Sequence, residues 1–156
     1  PLTFVCQINC EDIAPLDKDG RFPHEGMLYF FAALDKWIGY DSPTINDRGE
    51  WTRGHIAIKY AKNINFETFQ SCMMVDDEGQ SLTEPELTIT FEGCPDDAPG
   101  IKMLGYKNDL VNLLQIDEDD TAGFRCENWK SLNVLYKESD LKFGNWKKAM
   151  TILCEA

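Results

Sequence analysis

The sequence predicts a mainly β domain, a β-rich α+β chain with few short helices. Three observations predict it. Apolar residues recur with period two in the informative segments, turn-forming clusters separate those segments, and helical periodicity is scarce.

Residues 2–10 alternate, with Phe4, Cys6, Ile8 and Cys10 on one face and Val5, Gln7 and Asn9 on the other. Successive strand side chains point to opposite faces, so the first set is expected to be a core face. Glu11-Asp12-Ile13 reads as a single helical turn. Residues 26–33 form a continuous apolar run after Pro23 and Gly26, which predicts a central strand. Residues 53–60 alternate again, with Ile56 and Ile58 inward. Residues 86–92 place Leu87, Ile89 and Phe91 on one face and Thr88 and Thr90 on the other. Residues 111–117, 131–137 and 149–154 read as further strands. Ser139 to Phe143 reads as one helical turn, capped by Ser139 or Asp140. Turn signals punctuate the series at Asp17-Lys18-Asp19-Gly20, Asp47-Arg48-Gly49, Asp76-Asp77-Glu78-Gly79 and Cys94-Pro95-Asp96-Asp97.

The 156 residues suit a single domain over 1–156. A chain of this size buries roughly 68–70% of its unfolded surface, enough for a real core. Its 43% hydrophobic and 12% aromatic content exclude a disordered acidic tail. The 27 acids against 15 bases, net −12, argue against nucleic acid or an anionic membrane as partner, since phosphate contacts need clustered Lys and Arg. The balance fits a soluble protein, or one that meets a basic protein. The acidity is also local. Residues 76–120 hold 13 acids and two bases, whereas residues 121–156 hold four acids and six bases. The candidate acidic surface is therefore Asp76, Asp77, Glu78, Asp96, Asp97, Glu118, Asp119 and Asp120.

The chain opens Pro1-Leu2-Thr3-Phe4 without the basic and apolar regions of a signal peptide, so upstream sequence or a tag is expected to be missing. No apolar run approaches the roughly 18 residues of a membrane helix. Six cysteines are scattered without a C-x-x-C pair, and His24 and His55 lie far apart. The expectation is reduced thiols in a cytoplasmic protein and no structural zinc, with three disulfides as the alternative.

Two acidic runs invite a calcium reading and fail it. A loop from Asp117 has Ala122 and Asn128 where an EF-hand needs Gly and Glu, and one from Asp76 has Ser81 and Leu87 there. There is no G-x-S-x-G, no Walker A and no G-x-G-x-x-G. No catalytic residue, cofactor or metal is therefore assigned. Trp37, Trp51, Trp129 and Trp146 read as core or rim packing, with Trp129 singled out beside an acidic loop.

A short internal repeat stands out. Phe4-Val5-Cys6-Gln7-Ile8-Asn9 resembles Leu113-Leu114-Gln115-Ile116-Asp117, and acids follow both. Each copy is followed by a strand with a tyrosine, Leu28-Tyr29-Phe30 and Val134-Leu135-Tyr136. Duplication and chance both fit so short a match. If duplicated strands meet, Gln7, Asn9, Gln115 and Asp117 would be gathered on their polar sides and must be hydrogen-bonded. With Trp129 they form the candidate ligand or partner site, read either as a structural network or as the floor of a cleft.

The chain resembles the YwqG-like family of bacterial domains of unknown function. The carriers are Phe4 to Asn9, the Pro23-x-x-Gly26-Met27-Leu28-Tyr29-Phe30-Phe31 segment, Leu104-Gly105-Tyr106, and Leu113 to Asp117. Trp129 and Asp140-Leu141 add to the set. The resemblance implies a roll-like arrangement of antiparallel sheets, no established activity, a bacterial cytoplasmic setting and, for some members, a link to toxin immunity. It also implies an N-terminal segment that this chain lacks, and Leu104-Gly105-Tyr106 reads as a tight turn by its glycine. The resulting expectation is a non-enzymatic interaction protein with an acidic surface. The alternative is a small-molecule binding domain using the polar cluster.

Overall fold

The computed structural model describes residues 2–33, 55–63, 75–81, 87–107, 109–119, 131–142 and 144–154. Strand β1 (Thr3–Asn9) runs into a one-turn helix α1 (Cys10–Ile13), followed by β2 (Met27–Ala32) and β3 (Ile56–Ala61). Then come β4 (Lys102–Lys107), β5 (Leu110–Asp117), β6 (Ser131–Tyr136), helix α2 (Glu138–Lys142), a 3₁₀ turn (Trp146–Lys148) and β7 (Met150–Cys154). The chain is mainly β. One sheet has the order β1-β2-β3 and the other β4-β5-β6-β7, all pairs antiparallel.

The strands at 2–10, 26–33, 53–60, 111–117, 131–137 and 149–154 stand within a few residues of their expected bounds. The apolar run at Met27–Ala32 is central to its sheet, paired on both edges. Apolar side chains from both sheets merge into one core. Ile8, Leu28, Phe30 and Ile58 meet Leu114, Ile116, Leu132, Val134 and Tyr136, with Ile13, Phe22 and Leu141 joining from the connections.

β1-β2-β3 and β5-β6-β7 are the same meander. Ile8 pairs with Leu28 as Ile116 pairs with Leu132, and Gln7 with Tyr29 as Gln115 with Asn133. Cys6 pairs with Phe30 as Leu114 with Val134. The register then slips at the same place in both, between Phe4 and Cys6 and between Asn112 and Leu114. A β-bulge leaves one residue unpaired, here Val5 in one copy and Leu113 in the other. The third strands follow suit, with Leu28 opposite Tyr60 and Leu132 opposite Leu153. The tyrosines of the sequence repeat do not correspond, because the ladder matches Tyr29 to Asn133 and Tyr136 to Ala32.

The bulge also corrects the face of Phe4. With Val5 set out of the ladder, Phe4 turns away from Cys6 and Ile8 and is 51% exposed. It meets Phe31 edge-on instead, ring centroids 5.8 Å apart. Cys10 lies beyond the strand as the first residue of α1, and is buried. Cys6, Cys10 and Cys94 are free thiols. Burial pushes the Cys6 thiol up to about 12. It pushes Cys10 up to about 11, against a smaller lowering by a backbone hydrogen bond.

Three further expectations change. Residues 87–95 form no strand, and Leu87 and Ile89 are 56% and 44% exposed. Alternation there expresses a preference that only pairing on a sheet realises. Leu104-Gly105-Tyr106 is not a turn but the middle of β4, where Gly105 pairs with Asn112. The turn comes later: Lys107 pairs with Leu110 across a two-residue loop ending in Asp109 at φ 62°, a conformation Asp tolerates. Helix α2 starts at Glu138, so Ser139 and Asp140 lie inside it rather than capping it. The Asp47 turn, Trp37, Trp51, Cys72 and Cys126 lie outside the described residues.

Candidate functional site

Gln115 and Asp117 point away from the apolar side of β5, as their alternation with Leu114 and Ile116 requires. They hold the Gly100 turn. Gln115 Nε2 donates to Gly100 O at 3.2 Å and to Asp117 Oδ1 at 3.1 Å, and Gly100 N donates to Asp117 Oδ2 at 2.6 Å. Gly100 has φ 95°, which favours glycine there. The network continues across the sheet. Asn112 Nδ2 donates to Gln115 Oε1 at 3.4 Å and to Asn133 Oδ1 at 2.9 Å, and Asn133 Nδ2 donates to Ser131 Oγ at 2.9 Å. Asn112 and Asn133 are buried.

The first copy of the repeat is placed differently. Gln7 is exposed on β1. Asn9 caps α1, its Oδ1 accepting from Glu11 N at 3.2 Å. Neither hydrogen-bonds to Gln115 or Asp117, so the four polar residues are not gathered into one network. Trp129 lies outside the described residues.

The acidic residues also serve local structure. Asp76 Oδ1 accepts from Glu78 N at 3.1 Å and from Gln80 N at 2.7 Å, closing a turn under the bridge between Val75 and Ser81. Asp77, Glu78, Asp96, Asp97 and Glu118 are exposed and Asp119 half-buried, while Asp120 lies outside the described residues. Asp96 O accepts from Lys102 Nζ, which ties the turn at 96–97 to β4. Among the described residues no group of three or more His, Cys, Asp or Glu is arranged to hold a metal ion, and no helix is long and apolar enough to cross a membrane.

A feature that sequence reasoning missed lies where the two halves meet. Asp17 is only 7% exposed. Its carboxylate accepts from Arg21 N at 3.2 Å and Phe22 N at 2.9 Å, and lies 3.2 Å from His24 Nε2. These contacts fix the loop that carries Arg21 and Phe22. Opposite the loop, Trp146 packs on Tyr60 of β3 and Tyr136 of β6, at 6.0 and 6.2 Å between ring centroids. Its carbonyl accepts from Tyr136 Oη at 2.7 Å, and Tyr60 Oη donates to Glu25 O at 3.0 Å. Desolvation raises both phenols above the ordinary tyrosine range. Between these walls is a half-open cleft of about 380 Å³, lined by Arg21, Phe22, Tyr60, Leu141, Lys142 and Trp146 among others. The only sequence signal was the Asp17 turn, because the lining converges from three separate stretches, 20–23, 60 and 141–146.

Residues 1–103 match the model of a family described as a domain of unknown function, DUF1963. The chain belongs to the DUF1963 family. The matched DUF1963 region holds the first meander and the Gly100 turn and ends at the start of β4, so the second meander lies beyond it. No curated protein matches the chain.

Proposed function

We propose that this DUF1963 chain is a non-enzymatic interaction protein whose acidic stretch engages a basic protein. The observation that carries this is the segment 87–97. Among the described residues it has no ladder partner, and it leaves Leu87 and Ile89 exposed beside the exposed carboxylates of Glu92, Asp96 and Asp97. Exposed apolar anchors beside one sign of charge suit a partner that adds apolar contacts and positive charge. The sequence supplies the same sign of field nearby, through Asp76 to Glu78 and Asp117 to Asp120. The motif resemblance to YwqG-like bacterial proteins supports a cytoplasmic, immunity-like version of this role, in which the acidic stretch covers a basic toxin.

The test is a pull-down from the native host at low and high salt, run with the wild type and with Glu92→Gln/Asp96→Asn/Asp97→Asn. A basic protein retained by the wild type at low salt, and lost both at high salt and with the triple variant, is the expected result. Retention of the same proteins by both forms would overturn the role of this segment.

A further inference from the structure

We propose that the cleft between the Arg21 loop and Trp146 binds a small ligand made of a flat ring and an anionic group. The inference is independent of the acidic stretch.

The volume of about 380 Å³ falls within the range of small-molecule sites. The walls are held before any ligand arrives. The buried Asp17 carboxylate takes the Arg21 and Phe22 amides and so sets the loop. On the other side, Tyr136 holds the Trp146 carbonyl while its ring and that of Tyr60 fix the indole. A site held in this way loses little freedom on binding.

The chemistry of the lining sets the ligand class. Tyr60, Trp146 and Phe22 supply aromatic surface, which favours a flat ring. The Trp146 indole N–H has no acceptor among the described residues, so a ligand oxygen or ring nitrogen can take it. Two cations complete the lining. Arg21 has a side chain only 17% exposed, paired with Asp19 and lying 4.7 Å over the Tyr106 ring. A guanidinium has five donors, so the pair and the ring orient Arg21 while leaving donors over. Lys142 is paired with Glu138 at 3.1 Å on the outer edge. In a chain of net charge −12, this concavity brings together Arg21 and Lys142, whose donors beyond their pairs with Asp19 and Glu138 suit an anion.

Adenosine monophosphate, phenyl phosphate and indole-3-carboxylate serve as ring-bearing anions, with adenosine and inorganic phosphate as the separate parts. Calorimetry on the full chain is expected to show at least one of the three binding at least tenfold more tightly than adenosine or phosphate. Arg21→Gln is expected to weaken that binding at least tenfold while leaving the unfolding midpoint in place. Trp146→Phe retains a ring, so the protein is expected to remain folded, and should remove the fluorescence change on binding that Trp146 reports. No binding of the three anions at millimolar concentration would overturn the proposal. So would binding that Arg21→Gln and Trp146→Phe both leave unchanged.

Discussion

The two meanders share a ladder, pair for pair and bulge for bulge, yet their outer faces have little in common. In the first, Phe4, Gln7, Tyr29, Phe31 and Lys59 make the outer face, with Gln7 and Lys59 open to solvent and Lys59 Nζ 5.9 Å from the Phe31 ring centre. In the second, the matching face carries Asn112, Gln115, Asn133 and Asp117, and it is closed by the Gly100 turn. The core-facing positions stay apolar in both, Ile8 with Leu28 and Ile116 with Leu132. A one-residue slip would turn every core side chain outward, so register is fixed by the buried face alone. The outer face is free to become aromatic and wet in one copy and polar and dry in the other.

The largest expected effect tests the shared part. Leu28→Ala and Leu132→Ala remove matching side chains that are essentially unexposed, and each should cost about 2–5 kcal/mol in urea unfolding. A cost under about 1 kcal/mol at either site would break the equivalence of the two cores.

That equivalence was legible in the sequence only as far as the core face carries it. Gln-Ile marked both leading strands, and six of the seven expected strands stood where the apolar pattern put them, one of them at 26–33 by a continuous run rather than by the period of two that burial of one face writes. The bulges left no such mark. Val5 and Leu113 are ordinary strand residues, and their displacement, which turns Phe4 outward, is a property of pairing. β4 was hidden for the opposite reason, as Gly105 reads as a turn residue until Asn112 is opposite it. Residues 87–95 had the alternation, yet they join no ladder among the described residues. At the candidate site, the orientation of Gln115 and Asp117 was readable from β5. Their partner, the Gly100 turn, was not, and neither was the cleft formed by Arg21, Tyr60 and Trp146.

An intermediate effect separates the two outer faces. Asn133 is 0% exposed and accepts from Asn112 Nδ2. Asn133→Ala should cost about 1–3 kcal/mol, because it strips a buried donor of its acceptor. Exposed Lys59→Ala on the first outer face should stay within about 0.5 kcal/mol. Equal costs would remove the distinction.

A smaller effect belongs to the second half alone. Lys148 and then Asn145 hydrogen-bond Asp140 and hold its carboxyl below the ordinary aspartate range, against a desolvation that raises it. A carboxyl with a depressed folded pKa stabilises fully above its unfolded pKa, about 4, and loses that contribution as pH falls through the folded value. Asp140→Asn should therefore be less stable than wild type at neutral pH, with the gap closing below about pH 4. A gap that does not change with pH would contradict the ionic origin of this tie.

The most direct measurement compares the two glutamines that announce the repeat. Gln7→Ala and Gln115→Ala change the same residue at the same ladder position, one exposed and one bound to Gly100 O and Asp117. Urea unfolding should show Gln7→Ala within about 0.5 kcal/mol of wild type and Gln115→Ala lower by about 1 kcal/mol or more. Equal stabilities in the two variants would contradict the account of one backbone plan carrying two different outer faces.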